Sequence, residues 1–170
     1  VEKCDTASAK FQSEETGLVD YAGSEEDIFA QIRDLVSVLP SNNEDTDNYT
    51  ECTDDLNRVC ADLANCAGDT AIALSQIADN GEFFETKADY AKDMVTGFIR
   101  LNGATVGAVA NQPVDGESVL TRNGLEKAER FIKFCDAFAI PLLTVTNVTG
   151  LRANAHEERK QALALAKFTA

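Results

Sequence analysis

The sequence predicts an α/β fold, and three features carry that reading. Asn102-Gly103 lies between two β-prone runs, Met94 to Leu101 and Ala104 to Ala110, which calls for a hairpin whose type I′ turn needs positive φ at both central residues. Leu125, Ala128, Phe131, Ile132, Cys135 and Phe138 recur on one face of a helix running roughly from Gly124 to Phe138. Ile140-Pro141-Leu142-Leu143-Thr144-Val145-Thr146 is a nearly continuous apolar run suited to a central parallel strand, with Pro141 tolerable only at its start, where no ladder donor is needed. Hairpin, helix and strand in that order make a βαβ-containing domain.

The other elements follow in chain order. Val1 to Gly17 is mostly polar. Ser24 caps a helix whose first turn, Glu25-Glu26-Asp27, faces the positive end of the dipole. Ile28, Ile32, Leu35, Val36 and Leu39 continue it at helical spacing until Pro40-Ser41-Asn42-Asn43 ends it. From Asn42 to Gly68 the composition turns polar; Leu56, Val59 and Leu63 could form a short helix, but a connecting segment is the reading adopted. Asp69 or Thr70 caps a second helix with Ile72, Leu74 and Ile77, stopped at Asn80-Gly81. Phe83 and Phe84 are expected to be buried. After the apolar run, Asn147 to Ala155 reads as a loop and His156 to Phe168 as a last helix carrying Ala162, Leu163, Leu165 and Ala166. No internal repeat is evident.

Composition narrows the function classes. The 170 residues suit one domain or parts of two joined by a linker, and 44% hydrophobic residues suffice for a core. There is no apolar run near the roughly 20 residues that span a bilayer and no signal-peptide pattern, so a cytoplasmic location is expected. The net charge of −14 repels phosphate backbones and argues against general nucleic-acid binding, although a small anionic ligand needs only a local basic patch. The acidic residues crowd the first 55 positions, where a solvated face plus linker accounts for them. The five cysteines (Cys4, Cys52, Cys60, Cys66, Cys135) are odd in number and irregularly spaced, which fits reduced thiols rather than a disulfide framework. Without a Cys-x-x-Cys pair or a nearby histidine, no metal site is assigned. Asn48-Tyr49-Thr50 and Asn147-Val148-Thr149 match the glycosylation sequon, but no secretion signal supports its use.

Binding chemistry concentrates after the apolar run. Ligands of open α/β sheets sit at the carboxyl ends of strands, and Asn147-Val148-Thr149-Gly150-Leu151 occupies that place. Gly150 allows close backbone approach, and free N–H groups at the next helix N-terminus favour anions. The alternative for this loop is an ordinary turn with Gly150 in a left-handed conformation. His156 has no identifiable partner and reads as a surface helix residue. Arg152, Arg159 and Lys160 either meet an anion or solvate the last helix, and none is assigned to a ligand.

Several long collinear blocks resemble the carboxyltransferase subunits of biotin-dependent acyl-CoA carboxylases and decarboxylases. They are Gly81-Glu82-Phe83-Phe84-Glu85, Tyr90-Ala91-Lys92, Val95 to Gly103, Val106 to Pro113, Lys127 to Phe138 and Ile140-Pro141-Leu142-Leu143. Thr16 to Tyr21, the helix from Ser24, Leu39 to Asn43 and Asp54-Asp55-Leu56-Asn57 resemble the family's crossing between its two halves. The resemblance, nearest to propionyl-, methylmalonyl- or glutaconyl-CoA type subunits, implies a partial crotonase-like spiral of ββα units. It assigns residues 1–43 to the tail end of an N-terminal crotonase-like half, 44–68 to a linker and 69–170 to the first part of a C-terminal crotonase-like domain.

The implied chemistry moves a carboxyl group between biotin and an acyl-CoA, with pairs of backbone N–H groups stabilising the thioester enolate and the biotin ureido oxyanion. The implied partners are a biotin carboxyl carrier, other carboxylase or decarboxylase subunits, and further copies of the parent subunit. By this resemblance the glycine-rich oxyanion loops belong before Val1 and after Ala170. The chain is then an internal fragment, inactive by itself, that carries part of a biotin-side wall. Candidate wall residues are Asn147, Val148, Thr149, Gly150 and Leu151, where the family has an Asp-Val-Pro-Gly-Phe type loop of which only Val148 and Gly150 persist. Asn111, Gln112 and Pro113 are either a polar rim at the biotin entry or turn chemistry in which Pro113 halts the strand. Two alternatives stand beside this reading: a non-catalytic assembly or biotin-docking module, and another crotonase-type acyl-CoA enzyme such as a hydratase or thioesterase. A half-domain with uncovered apolar surface or sheet edge is also expected to self-associate.

Overall fold

The computed structural model describes residues 5–45 and 49–170. Cys4 and Asn48 of the first sequon lie outside the described residues. The polar start contains a short helix that its composition does not signal, α1 (Ala9–Glu14), capped by Ser8 Oγ, which accepts the Phe11 N–H at 3.2 Å. α2 (Glu25–Val38) begins where the sequence places it, with Ser24 Oγ accepting the Asp27 N–H at 3.2 Å, and it stops at Leu39 ahead of Pro40.

Among the described residues, the segment from Asn42 to Gly68 forms no α-helix; Leu56 and Val59 are exposed, and a 3₁₀ turn, Leu63–Gly68, precedes α3 (Thr70–Ile77). Asp69 caps α3 by accepting the Ile72 N–H at 3.1 Å. The connecting segment is nonetheless tied down. The Arg58 guanidinium donates to the carbonyls of Gln76 and Ala78, both at 2.6 Å, so a cation closes the negative end of α3. Arg58 is held in turn by Asp54 at 2.7 Å.

β1 (Phe83–Thr86), β2 (Met94–Leu101) and β3 (Ala104–Asn111) form an antiparallel set in which Met94 faces Asn111 and Leu101 faces Ala104. The β2–β3 turn has the predicted geometry, with φ of 52° at Asn102 and 79° at Gly103. The buried Asp79 carboxylate accepts both turn N–H groups, Asn102 at 3.0 Å and Gly103 at 2.7 Å. Only glycine fits the second position, because a Cβ there would strike the Thr50 carbonyl oxygen as well as strain φ.

After β4 (Val119–Leu120), helix α4 (Arg122–Ala137) crosses back to β5 (Leu142–Val145), which pairs parallel with β3, giving the sheet order β1-β2-β3-β5. The βαβ unit is as predicted, and Pro141 sits just before the strand. The expectation of a central strand is corrected: β5 is an edge strand, with Leu142 and Val145 more than a third exposed. An uninterrupted apolar run reports that a strand tolerates burial on both faces; it does not report its place in the sheet. Phe83 and Phe84, expected to be buried, are half-buried because β1 is the other edge.

Period-two alternation along β2 divides the core. Met94 and Phe98 face α4 together with Val109, Ala128, Phe131 and Cys135. Val95 and Ile99 face α3 with Leu74, Ala108 and Ala110. Phe98, Leu74 and Leu125 are fully buried, each stabilising the fold by about 1.5–3 kcal/mol of transfer free energy.

The predicted loop from Asn147 to Ala155 contains a two-residue strand, β6 (Gly150–Leu151), parallel to β4. α5 (Ala155–Thr169) follows and packs on α4. Its inward face uses Gln161 and Ala164, whereas Leu163 is exposed. No helix of the described residues is long and apolar enough to cross a membrane, and none of their His, Cys, Asp and Glu groups could hold a metal ion. Cys52, Cys60, Cys66 and Cys135 are free thiols.

Candidate functional site at the strand ends

Because β3 and β5 run parallel, Asn111 and Val145 finish at the same edge of the sheet. The loop beyond Val145 is bound to the strand end by one side chain. Asn111 is 6% exposed; its Nδ2 donates to the Asn147 carbonyl at 2.8 Å, and its Oδ1 accepts the Asn147 N–H at 2.6 Å. A buried amide used in both directions fixes where the loop departs. Thr149 is fixed from the other side, its N–H and Oγ1 donating to the Ser118 carbonyl at 2.8 and 3.0 Å.

Between these anchors, Val148 and Leu151 stay exposed, and Gly150 lies in β6 with open space where a Cβ would be. Gly150 does not adopt positive φ, so the left-handed turn considered for it is not formed. The left-handed residues of this region are Asp115 and Gly116, which turn the chain after Pro113. An open cleft of about 610 Å³ runs between the Gly116–Val119 segment and Thr149, Leu151 and Arg152.

The structure thus brings Asn111 to Asn147 through Leu151, but it turns Gln112 away. Gln112 Oε1 accepts the Thr70 N–H at 3.2 Å and serves the start of α3. The expected free N–H groups of the last helix are partly used: Asn154 Oδ1 accepts those of His156 at 3.1 Å and Glu157 at 2.8 Å. His156, Arg159 and Lys160 are exposed, and Arg152 lies 4.0 Å from Glu117. None of the eight candidate wall residues titrates, so they can shape and position a ligand but cannot transfer a proton.

A buried polar cluster escaped the sequence reading. Lys127 is 2% exposed, and its Nζ donates to the carbonyls of Lys87 at 2.9 Å, Tyr90 at 2.8 Å and Met94 at 2.6 Å. The carbonyls and the carboxylates of Glu85 and Asp93 favour the ammonium, but burial outweighs them and pushes its pKa down to about 8. Asp93 Oδ2 accepts the Thr121 N–H at 3.0 Å and hydroxyl at 2.9 Å, and Thr121 caps α4 through the Gly124 N–H at 3.0 Å. The signal was available: Lys127 occupies the same face as Ala128 and Phe131, where a solvated lysine does not belong. Beside it, a pocket of about 470 Å³ opens between α2, β1–β2 and α4.

Residues 2–165 match the carboxyl transferase domain family. The chain belongs to the carboxyl transferase family. The propionyl-CoA carboxylase beta chain of Roseobacter denitrificans is 40% identical over 136 residues, covering 76% of this chain and 27% of that protein. The methylmalonyl-CoA decarboxylase subunit alpha of Veillonella parvula is 36% identical over 162 residues, covering 91% of this chain and 32% of that protein. Among solved structures, the transcarboxylase 12S hexamer with methylmalonyl-coenzyme A bound superposes with a TM-score of 0.88 at 28% identity, over 98% of this chain and 34% of that one. The beta subunit of Pseudomonas aeruginosa geranyl-CoA carboxylase shares the fold, with a TM-score of 0.57 at 22% identity. This carboxyl transferase chain therefore has part of a crotonase-like fold and spans about a third of the length of the relatives it matches.

Proposed function

We propose that the chain forms part of an acyl-CoA carboxyltransferase that moves a carboxyl group between biotin and an acyl-CoA, and that its strand ends supply part of the biotin-side wall. The observation that carries this reading is the superposition of nearly the whole chain on transcarboxylase 12S. In this reading residues 1–43 close an N-terminal crotonase-like half, 44–68 link the halves, and 69–170 begin the C-terminal domain. The working protein is cytoplasmic and oligomeric, and it receives biotin on a carrier protein or domain.

Biotin would bring the carboxyl group; the chain's own residues hold and orient it. The exposed side chains of Val148 and Leu151 and the bare Cα of Gly150 present an uncharged flank suited to a neutral bicyclic ring. Asn111 and Thr149 position that flank, and Pro113 follows at the end of β3, whereas Gln112 is engaged at the start of α3. The absence of any titrating residue in the wall favours docking over proton transfer as the role of this segment.

Ligand-observed NMR with free biotin tests the reading. A Cβ at Gly150 meets no protein atom within 4 Å, so Gly150→Val fills only the open side and leaves the fold intact. Saturation transfer to biotin is expected with the native chain and is expected to vanish in the variant. Transfer that persists unchanged in Gly150→Val would remove biotin from this wall.

A further inference from the structure

The pocket beside Lys127 shares no residue with the strand-end wall. Its lining is mainly apolar: Ile32 and Leu35 from α2, Phe84 and Phe98 from the sheet, and Phe131 and Phe134 from α4. Ile32 and Phe134 remain 48% and 37% exposed, so the chain itself does not fill the space.

The charges around it are unlike those of the chain as a whole. Within a molecule of net charge −14, this pocket is bordered by three cations, Lys87, Lys127 and Arg130, and two acids, Asp20 and Glu85. Lys87 is neutralised by Asp20 at 3.2 Å and also donates to the Gly17 carbonyl at 2.6 Å. Lys127 spends its donors on backbone carbonyls and forms no ion pair within the described residues. Burial raises the Glu85 carboxyl above its usual range, which weakens the one acid of the pocket lining, other than the paired Asp20, that balances Lys127. The exposed Arg130 guanidinium makes no hydrogen bond or ion pair within the described residues, so its donor fork is available. An apolar pocket of a few hundred Å³ with a few convergent polar groups is the usual form of a small-molecule site.

We infer that this pocket binds an amphiphilic anion, an acyl chain of medium length ending in a carboxylate, with the chain against Phe98, Phe131 and Phe134 and the carboxylate on Arg130. The site is independent of the biotin wall and stands or falls separately from it.

Titrating the isotope-labelled chain with octanoate, and in parallel with 1-octanol, tests the assignment by amide chemical shifts. Octanoate should move the amides around Phe84, Phe98 and Phe131 and should bind about tenfold more tightly than octanol, as expected for one charge-assisted contact. Arg130→Gln should reduce octanoate to the affinity of octanol and leave octanol unchanged. Ile32→Trp, at an exposed position where the ring projects into the space, should block both ligands without unfolding the chain. Equal affinity for the two ligands, or octanoate binding indifferent to Arg130→Gln, would show a nonspecific apolar gap and overturn the proposal. So would shifts confined to residues outside the pocket, or no shifts at millimolar octanoate.

Discussion

α2 and α4 carry apolar residues at the same helical spacing, yet they end in opposite situations. The α4 stripe of Leu125, Ala128, Phe131 and Cys135 is 0–8% exposed against the sheet. On α2, Phe29, Ile32 and Val36 are 55%, 48% and 67% exposed; Val38 at its end is buried in the core, and Leu35 packs partly buried against it. Periodicity tells which face of a helix is apolar; whether that face is covered depends on elements far away in sequence. Truncation should expose the difference most strongly. Leu125→Ala is expected to cost about 2–5 kcal/mol, because the rigid sheet and helix around it leave a cavity. Val36→Ala should stay within about 0.5 kcal/mol, as surface changes do. Urea denaturation of both variants measures the gap, and similar midpoints would mean that α4 is not the better-packed helix.

The buried face of α4 also holds two groups that titrate in opposite senses, which sharpens the contrast through pH. Burial lowers Lys127 from 10.5 to about 8, so between those values the unfolded chain binds a proton that the native chain does not. Stability from this group therefore rises with pH over that interval, by on the order of 3 kcal/mol at about 1.4 kcal/mol per pH unit. Burial raises Cys135 from 9.0 to about 12, so its contribution is complete below pH 9 and is lost as the unfolded thiol ionises. The native chain should gain stability from pH 8 to 9 and level off above that. Lys127→Met should abolish the gain, and Cys135→Ala should extend it. Chemical denaturation of the three proteins at pH 8, 9 and 10 checks both signs; a gain that survives in Lys127→Met would assign it to another group.

A somewhat smaller effect separates local capping from core packing. Asp93 receives both the N–H and the hydroxyl of Thr121 and so fixes the start of α4, whereas α2 is capped by Ser24 alone within an exposed turn. Asp93→Ala leaves two half-buried donors of Thr121 without their acceptor and should cost about 1–3 kcal/mol. Ser24→Ala should cost about 1 kcal/mol at most. Hydrogen exchange at the first turn of each helix distinguishes local fraying from a global loss.

What could be read from the sequence follows the same division. The Asn102-Gly103 turn, the Ser24 and Asp69 caps and the α4 stripe are local chemistry, and each appears where its residues place it. β6, the edge position of β5 and the loss of Gln112 to the start of α3 depend on pairings far apart in sequence, 31 residues for Thr149 with Ser118 and 42 for Gln112 with Thr70. No periodicity encodes such pairings. Asn111 is a candidate from its place at a strand end and from the family resemblance, but its partner Asn147 follows from the parallel register of β3 and β5 alone. Lys127 was legible in principle, as a charge on an apolar stripe, but its acceptors are carbonyls, which no sequence pattern displays.

The smallest effect on stability should fall where the exposed α2 face matters most for behaviour in solution. Phe29 and Val36 are one heptad apart and lie outside the pocket lined by Ile32 and Leu35, so together they form an apolar strip in water. At high concentration that strip and the uncovered β5 edge should drive weak self-association. Val36→Glu interrupts the strip without touching the core and should leave the denaturation midpoint within about 0.5 kcal/mol of native. Its expected signature is a lower weight-average mass by light scattering across a concentration series. Val145→Lys, which places a charge on the β5 edge, tests the other surface in the same way. If Val36→Glu restores a monomer and Val145→Lys does not, association runs through α2; the reverse assigns it to the open strand. A native chain that is strictly monomeric at every concentration would show that neither surface is sticky enough to act, and that exposure on α2 has no consequence in the isolated chain.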